Sequence, residues 1–595
     1  MIKKRRYCIT ILLFLFLSPV YSQNEIINYY LTITDADQHL AEIELHHPHT
    51  PNNEIEFSLP AWRTGRYEIL NLANGISSFK ALDKQGNELH WRKVNKNAWR
   101  IYNPSKQAFT LRYTVYANQL STRSRHIDDT HAFINASGYF LYTNVSRSWP
   151  LKVQLNLPTL WESVTGLPAV KNQSHQYLAI NYDQLVDSPI EAGIIERHTF
   201  IVENTPYELA IWGKGNYDSQ QMVADLSKLV ATYRRIWPNK PYSKYVFMVH
   251  ATTDTRGATE HLNSTIIQRK RFTFAPRKQY LEFLATAAHE FIHTWNVKSY
   301  RPAEFVPYDY LKEKYSPLLW ISEGSTRYFQ YHLLIAAGLM TPSEYLQILA
   351  NEMFEHHATP GTQKQSLADA SLDKWIAVKG HQALNHSVNI YDEGALLSFI
   401  LDMKLLSQSL GKISYRDVHA ELYKRFATTI AFNTQDVLTI LKDLTGEDYS
   451  DWWRSHVEKP IDLIFEPALN TIGLTLEKSI KYKQSGINFQ IKQNLNQVRQ
   501  VKEASPAWKA GITAGDIIIA INDLRLYPHT FDQRLDDYQP NQEIQLTLFR
   551  RDELITRRLV VPNETTSEYK IVPLINPSAS QRKLYQAWLG VEYDF

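Results

Sequence analysis

The sequence is poor in cysteine, which excludes disulfides as the source of its stability. Its single cysteine, Cys8, lies in the opening stretch "MIKKRRYCITILLFLFLSPVYSQ". Basic residues, then an apolar stretch, then small residues before Gln23 give this stretch the layout of a secretory signal. An uncleaved anchor is the alternative, but the apolar run is shorter than the roughly 18 residues that a span needs. We therefore expect a signal peptide at residues 1–22 and a mature protein without cysteine, exported to the periplasm or secreted.

A large excess of charge and further long apolar runs are also missing. Lys and Arg number 64 against 61 Asp and Glu, a formal net charge of +3. Such a balance provides no basic field for binding nucleic acid. After the signal, no stretch is apolar enough to cross a membrane. Hydrophobic residues at 44% and charged residues at 21% are typical of a globular protein.

Three patterns follow one another along the chain. Strand-like alternation, as in "FTLRYTVYA", predicts an all-β sandwich over residues 23–203. A period of 3.6, as in "QYLEFLATAAHEFIHTW", predicts a mostly helical domain with a small sheet over 204–462. Short strands return over 463–566, and 567–595 is left as a tail. The predicted fold class is multidomain α+β.

The helical region contains a metal-binding pattern, "AAHEFIHTWNVK" at 287–298. On a helix, His289 and His293 lie one turn apart on the same face, where both can reach one ion at about 2.0–2.1 Å. Glu290 lies beside that face, where it can act on a water molecule without binding the ion. This is the H-E-x-x-H arrangement of zinc peptidases. The alternative is a helix with two hydrogen-bonded histidines at its polar edge.

A third ligand is expected in the next helical segment, "LLWISEGSTRYF". Glu323 follows apolar residues there, and burying a lone carboxylate is costly unless a partner neutralises it. One zinc per chain would be that partner, with two histidines, one glutamate and an open fourth position. The alternative is an ion pair between Glu323 and Arg327 at i+4.

Other histidine clusters lack this spacing. The "HHPH" run at 46–49 follows a strand and contains a proline, so we predict a solvated loop. His356 and His357 are adjacent at a predicted helix end and point in different directions.

The combination of "HEFIHTWNVKSYRP" and "LLWISEGSTRYF" resembles the glycyl aminopeptidase family of gluzincin metallopeptidases. Further segments are similar to that family in the same order: "LPAWRTGRYEILNLANGI" (59–76), "RGATEHLNST" (256–265) and "YDEGALLSFILD". The resemblance covers nearly the whole mature chain. It implies an N-terminal β domain, a thermolysin-like catalytic domain and a PDZ domain.

The resemblance also implies two further site residues. Glu260 would bind the free amino group of the substrate, and Tyr391 would donate its hydroxyl to the oxyanion. The alternatives are an exposed strand end for Glu260 and a helix-core aromatic for Tyr391.

This chain departs from the family pattern at several positions. Glu393 replaces a usual lysine, Ser325 replaces a usual aromatic residue, and Ala258 and Thr259 stand where glycines are usual. The departures concern substrate preference more than the chemistry, because the predicted ligands and Glu290 remain.

The C-terminal region contains "SPAWKAGITAGDIIIAIND" (505–523), which resembles an element of PDZ domains in exported bacterial proteases. On that resemblance "TIGLTLE" (471–477) would supply the loop that holds the terminal carboxylate of a peptide ligand, bound as an added strand. The alternative is a packing domain without a ligand.

Together these features predict an exported zinc aminopeptidase that removes small N-terminal residues, glycine or alanine, from peptides. Two alternatives are a zinc endopeptidase of broader specificity and a non-catalytic PDZ scaffold in the cell envelope.

Overall fold

The computed structural model describes residues 26–427, 431–492 and 494–594. The predicted signal peptide, residues 1–22, lies outside the described residues. The described chain forms an N-terminal β-rich domain, a central domain of helices around one sheet, and a C-terminal β domain. The predicted α+β multidomain fold is therefore confirmed. Among the described residues, none of the helices combines the length and apolar character that a membrane crossing requires.

The N-terminal domain contains three sheets around one core. Its elements are β1 (Ile27–Asp35), β2 (Leu40–His47), β3 (Glu54–Ser58), β4 (Ile76–Asp83), β5 (Trp91–Asn95), β6 (Ala98–Tyr102), β7 (Phe109–Tyr116), β8 (His126–Ile127), β9 (His131–Ile134), α1 (Ala136–Tyr139), β10 (Leu151–Asn156), β11 (Glu162–Thr165), β12 (Gln176–Ala179), α2 (Tyr182–Val186) and β13 (Ile190–Gly193). The strand orders are β12-β10-β1-β2-β7-β4, β3-β6-β5 and β11-β13-β9-β8. Alternate residues of β7 are buried, as the period of two predicts.

The "HHPH" run corrects one prediction, because β2 continues through His46 and His47. The side chain of His47 is 1% exposed, and its ring centroid lies 5.5 Å from that of Trp149. Its Nε2 lies 3.0 Å from Oγ of Ser146. The prediction of a solvated loop is wrong for His47, since the alternation of the strand turns this residue into the core.

The central domain is built on a five-stranded sheet of order β14-β15-β16-β18-β17. Its strands are β14 (Glu196–Val202), β15 (Thr205–Trp212), β16 (Tyr245–Thr252), β17 (Gly257–Glu260) and β18 (Ser264–Lys270). β14 pairs with β15 along its whole length, so the predicted boundary at 203 falls between two paired strands. β17 is one of the two edge strands, which leaves one side of its backbone without a strand partner in this sheet.

Helices pack around this sheet and bury a large apolar core. They are α3 (Ser219–Val230), α4 (Arg277–Ile292), α5 (Thr326–Ala336), α6 (Pro342–Ala358), α7 (Leu367–Leu372), α8 (Ala383–His386), α9 (Asp392–Ser409), α10 (Tyr415–Phe426), α11 (Thr434–Thr445), α12 (Ser450–His456) and α13 (Glu466–Thr471). Helix α6 begins with Thr341 as N-cap and proline at the first position, where proline is favoured.

A π-helical turn, Ile321–Ser325, precedes α5 and contains Glu323. π-turns are rare and are found mostly at functional sites. Gly324 allows this turn to touch the start of α9, because a Cβ on Gly324 would lie 2.4 Å from Cα of Gly394. The backbone contact fixes the position of Glu323 relative to the residues that precede α9.

The C-terminal β domain begins with a long strand pair rather than a ligand-binding loop. Its elements are β19 (Leu474–Lys483), β20 (Ile487–Lys492), β21 (Leu495–Val501), α14 (Pro506–Lys509), β22 (Ile517–Ile521), β23 (Leu524–Arg525), α15 (Phe531–Leu535), β24 (Glu543–Arg550), β25 (Glu553–Val560) and β26 (Glu564–Pro573). The main sheet has the order β20-β21-β22-β24-β25, and β23 pairs with β22.

β19 pairs with β26 outside that sheet, so the segment 471–477 does not border the edge strand β20. The prediction that this segment holds a peptide carboxylate is wrong, because β20, and not the strand that begins in 471–477, is the edge strand of the main sheet.

The last helix, α16 (Ala579–Leu589), returns to the central domain. Trp588 is fully buried there, and its Nε1 donates a hydrogen bond of 2.7 Å to the hydroxyl of Tyr328 in α5. The stretch 567–595, predicted only as a tail, therefore contributes to the core of the central domain.

Candidate active site

The two histidines of the H-E-x-x-H motif lie at the end of α4. His289 is in its last turn and His293 is its C-cap. Their Nε2 atoms are 3.5 Å and 3.4 Å from the same atom, Oε2 of Glu323. The side chains of His289, His293 and Glu323 are 13%, 2% and 4% exposed. The structure therefore brings together the three residues predicted as ligands.

The separations between these atoms fit a metal ion. Bonds of about 2.0–2.1 Å to a tetrahedral ion place two ligand atoms about 3.3–3.4 Å apart. The observed 3.4 Å and 3.5 Å match this value and are long for direct hydrogen bonds. Two imidazole nitrogens and a carboxylate oxygen are also the donor set of a catalytic zinc site.

Hydrogen bonds hold both imidazole rings in orientations that suit a metal. Nδ1 of His289 lies 2.9 Å from Oε1 of Gln330, and Nδ1 of His293 lies 2.7 Å from the backbone oxygen of Asn296. A carbonyl oxygen accepts but does not donate, so each Nδ1 carries the proton. When a ring is neutral, the lone pair of its Nε2 is then directed toward Glu323, and such orienting hydrogen bonds are typical of the outer shell of known metal sites.

The carboxylate is fixed in a similar way. Oε1 of Glu323 accepts a hydrogen bond of 3.1 Å from the hydroxyl of Tyr67, a residue of the N-terminal domain. The side-chain amide of Asn296 donates to the oxygen of Ile321 at 2.8 Å and to Oγ1 of Thr326 at 3.0 Å. The π-turn is thus tied directly to the segment that follows α4.

The carboxylate of Glu323 and the two imidazoles change each other's proton affinity. Although burial disfavours its charge, the neighbouring imidazoles of His289 and His293 hold the pKa of Glu323 well below its usual range. Burial likewise disfavours the imidazolium of His293, but the nearby carboxylate of Glu323 raises its pKa to about 10. A cation that binds here has to displace this proton, which makes binding dependent on pH.

The alternative partner for Glu323, Arg327, is engaged elsewhere. Nη2 of Arg327 lies 2.6 Å from Oε1 of Glu352, and its Nε lies 2.9 Å from Oδ1 of Asp392. The ion-pair interpretation of Glu323 is therefore not supported.

A second buried cluster, His131, Glu191 and His250, joins the N-terminal and central domains. The carboxylate of Glu191 lies between the two rings, 2.8 Å from Nε2 of each. These are hydrogen-bond distances, shorter than those between ligands of one ion. We therefore interpret this cluster as a buried polar triad and the His289 cluster as the candidate metal site.

Glu290 lies beside His289, His293 and Glu323, which together form the candidate metal-ligand cluster. It is 6% exposed, and its Oε2 has no hydrogen-bond partner among the described residues. Burial raises its pKa to about 8. A carboxylate with a proton affinity near neutrality is suited to accept a proton and return it.

Glu260 lies at the end of β17, on the wall of a cleft of about 420 Å³ that also contains the metal-ligand cluster. It is 4% exposed, so the alternative of an exposed strand end is wrong. Its Oε1 has no hydrogen-bond partner among the described residues. Gly65 of the N-terminal domain packs closely against this carboxylate, since a Cβ on Gly65 would lie only 2.4 Å from Oε2 of Glu260.

Tyr391 precedes α9 and lines the same cleft. Its ring centroid lies 6.0 Å from that of His289. Burial, followed by the charges of Glu323 and Glu260, holds the pKa of Tyr391 well above its usual range, so it remains a neutral donor. Nζ of Lys374 lies 4.9 Å from the ring centroid of Tyr391.

Two of the departures from the family pattern lie behind the cleft. Oε2 of Glu393 is 2.7 Å from Nδ1 of the buried His356. Oγ of Ser325 is 2.8 Å from the hydroxyl of Tyr415. Neither Glu393 nor Ser325 lines the cleft, so both substitutions are accommodated by local partners.

Sequence reasoning missed the contributions of Tyr67 and Gln330. Gln330 is seven residues after Glu323 in a helical stretch, so its position on the same face could have been found from the helical period. Tyr67 lies within the segment 59–76 that carries the family resemblance, but its partner could not be read from the sequence.

Comparison with known proteins agrees with this geometry. Residues 28–194 match the model of the peptidase M61 N-terminal domain, and residues 282–397 match that of the M61 glycyl aminopeptidases. Residues 497–539 match a PDZ domain. The chain belongs to the M61 glycyl aminopeptidase family. This family assignment makes the protein a metallopeptidase of the aminopeptidase type.

Solved structures include two that are similar to this M61 peptidase. The crystal structure of an aminopeptidase N family protein from Idiomarina loihiensis has 28% sequence identity and a TM-score of 0.89, and the alignment covers 94% of this chain and 100% of that one. The M1 zinc metallopeptidase from Deinococcus radiodurans has 14% identity and a TM-score of 0.45, with 71% and 90% covered. A search of curated proteins gives no match.

Proposed function

We propose that this M61 peptidase is a zinc-dependent aminopeptidase that removes small residues, glycine or alanine, from the N-terminus of peptides. The observation that carries the proposal is the convergence of His289, His293 and Glu323, with Glu290 and Glu260 beside them in one cleft. The preference for small residues is supported by the description of the family.

One zinc ion per chain would be held by His289, His293 and Glu323. When bound, zinc supplies a Lewis acid that polarises the scissile carbonyl and makes a water molecule more acidic. The donor set, the 3.4–3.5 Å separations and the orienting hydrogen bonds support this assignment.

The residues of the chain divide the remaining tasks. Glu290 takes a proton from the attacking water and passes it to the leaving amine. Tyr391 donates its hydroxyl to the oxygen of the scissile carbonyl as negative charge develops there. Glu260 binds the substrate ammonium, which fixes the register so that one residue is removed per cut.

Burial of Glu260 supports an exopeptidase. A buried carboxylate with an oxygen that lacks a partner among the described residues is costly unless a cation pairs with it. The ammonium group of a free N-terminus is such a cation, whereas the interior of a longer peptide provides none. An endopeptidase is the second candidate, and a non-catalytic PDZ scaffold is the third.

Export is proposed from the sequence of residues 1–22 alone. Amino-terminal sequencing of the protein from its natural source should begin at Gln23, and material that retains residues 1–22 would contradict this proposal.

A peptide ligand of the C-terminal domain is proposed at the edge strand β20. A groove of about 570 Å³ lies between β20 and the start of α15, lined by Phe489 and Phe531 among others. An extended peptide could add to this edge.

The test of the proposed function compares a peptide that has a free amino terminus with its acetylated form. The purified protein should contain about one zinc per chain and cleave the free peptide at least about 100-fold faster, because acetylation removes the charge that Glu260 binds. Equal cleavage of both peptides would favour the endopeptidase. Absence of zinc and of hydrolysis would favour the scaffold.

A further inference from the structure

Arg123 belongs to the N-terminal domain and lines the cleft between the two domains. It lies in the loop between β7 and β8, which is held by several hydrogen bonds. Nη2 of the buried Arg63 donates to the oxygen of Thr122 at 3.1 Å, and the backbone N–H of Arg123 donates to Oγ of Ser121 at 3.1 Å. The backbone of Arg123 is therefore well positioned before any ligand binds.

The guanidinium of Arg123 differs from those of the other arginines of the cleft. Arg269 and Arg256 lie 3.2 Å and 3.7 Å from Oε2 of Glu282, and Arg327 pairs with Glu352. Among the described residues, no carboxylate pairs with the guanidinium of Arg123.

The Nε of Arg123 is buried and has no hydrogen-bond partner among the described residues. Burying part of a charged group without a partner is costly. The site therefore has unused capacity for an anion.

The position of this guanidinium relative to β17 suggests which part of a substrate it meets. Nη1 of Arg123 lies 3.8 Å from the place of a Cβ on Gly257, the first residue of β17. Glu260 is the last residue of that strand. Three residues of a strand span about 10 Å, which is about the length of an extended tripeptide.

The charge of Arg123 also acts against the burial-driven rise in the pKa of Glu290 and of Tyr391, so it lies within electrostatic range of both. A substrate bound by its ammonium at Glu260 and extended along β17 therefore brings its second or third residue close to Arg123.

We propose that Arg123 binds a carboxylate of the substrate, two or three residues from the amino terminus. The proposal rests on the proposed aminopeptidase function and narrows its substrate class. Short peptides bring this carboxylate as their free C-terminus, and longer peptides bring it as an aspartate or glutamate side chain. Arginine suits this role because its fork of N–H donors matches both oxygens of a carboxylate.

The test measures kcat/KM on two pairs of peptides that differ in one charge. The first pair is Gly-Gly-Gly and its C-terminal amide, and the second is Ala-Glu-Ala amide and Ala-Gln-Ala amide. The parent enzyme should prefer the charged member of at least one pair by about 10- to 100-fold, as expected for a charge-assisted hydrogen bond. The pair that shows the preference identifies the source of the carboxylate.

Variants then assign the preference to Arg123. Arg123→Gln should abolish it by lowering kcat/KM for the charged peptide, with the neutral peptide changed less than about twofold. Arg123→Lys should retain part of it, because lysine keeps the charge but not the fork. Arg256→Gln is the matched control, since it removes a charge from an exposed arginine of the same cleft.

A parent enzyme that cleaves acid and amide at equal rates overturns the assignment, and so does a preference that survives in Arg123→Gln. Both results leave the aminopeptidase function in place. Failure of every peptide to be cleaved instead overturns the proposed function itself and, with it, the role of Arg123. Zinc content and circular dichroism of each variant show whether it is folded.

Discussion

Tyr67 and Glu323 are 256 residues apart in the sequence, yet the hydroxyl of Tyr67 donates a hydrogen bond of 3.1 Å to Oε1 of Glu323. The bond joins the N-terminal domain to the π-turn of the central domain. The N-terminal domain therefore contacts the candidate metal site directly.

Replacing this hydroxyl should weaken metal binding. We expect Tyr67→Phe to lower zinc affinity by about 10- to 100-fold, the usual effect of losing an outer-shell hydrogen bond to a metal ligand. Competition with a chelator measures the affinity. Tyr116→Phe is the control, because Tyr116 is half exposed in the same domain. An unchanged affinity in Tyr67→Phe would show that the bond does not orient the ligand.

Glu290 should be needed for hydrolysis but not for metal binding. Glu290→Gln keeps the size of the side chain and removes its ability to accept a proton, so kcat should fall by about 10²- to 10⁴-fold. The zinc content, measured by elemental analysis, should stay near that of the parent. A variant that cleaves peptides at the parent's rate would show that the assigned mechanism is wrong.

Gly65 offers a test of how tightly the N-terminal domain holds Glu260. Gly65 and Gly86 have similar positive φ angles, 80° and 86°, so alanine strains the backbone equally at both. A Cβ on Gly65 would also lie 2.4 Å from the Glu260 carboxylate, whereas nothing lies within 4 Å of one on Gly86.

We therefore expect both alanine variants to lose about 1 kcal/mol or more of stability. Only Gly65→Ala should also lose activity, mainly through a higher KM for peptides with a free amino terminus. Steady-state kinetics on the two variants measure this difference. Equal KM values would show that Glu260 does not bind the ammonium in its present position.

His47 should make the N-terminal domain sensitive to acid. Burial lowers its pKa from 6.5 to about 4. The unfolded chain takes up this proton below about pH 6.5 and the folded domain only near pH 4, so stability is lost as the pH falls through this range, by about 3 kcal/mol at most.

His47→Gln removes the titration, and its apparent melting temperature should fall less between pH 7 and pH 4.5 than that of the parent, by about 5 °C. His90→Gln, at an exposed histidine of the same domain, serves as control. Identical acid profiles for His47→Gln and the parent would exclude this source of sensitivity.

Local periodicity was enough to predict that His289, His293 and Glu323 lie together. The spacing of His289 and His293 is set by one helix, and Glu323 follows from the cost of burying a carboxylate in an apolar stretch. Both inferences use interactions within one or two neighbouring helices, for which sequence spacing and spatial proximity agree.

The contacts of Tyr67 and Gly65 and the position of Arg123 in the cleft could not be predicted, since they depend on how two domains dock. The error at 471–477 has a related cause. Two successive strands, β19 and β20, have similar alternation, and only the pairing of β19 with β26 decides which of them lies at the edge of the sheet. His47 was misplaced because the proline directly after it, Pro48, suggested that the strand had already ended.

Helix α16 has a consequence for the order of folding. Trp588 completes the core around Tyr328. In the sequence, the C-terminal β domain comes between α16 and the rest of the central domain. During synthesis the ribosome therefore makes the whole inserted domain before the peptidase core can close. Truncation before α16 would leave that core open, whereas excision of the insert with Glu477 and Lys570 rejoined would keep it, because these two residues are paired neighbours.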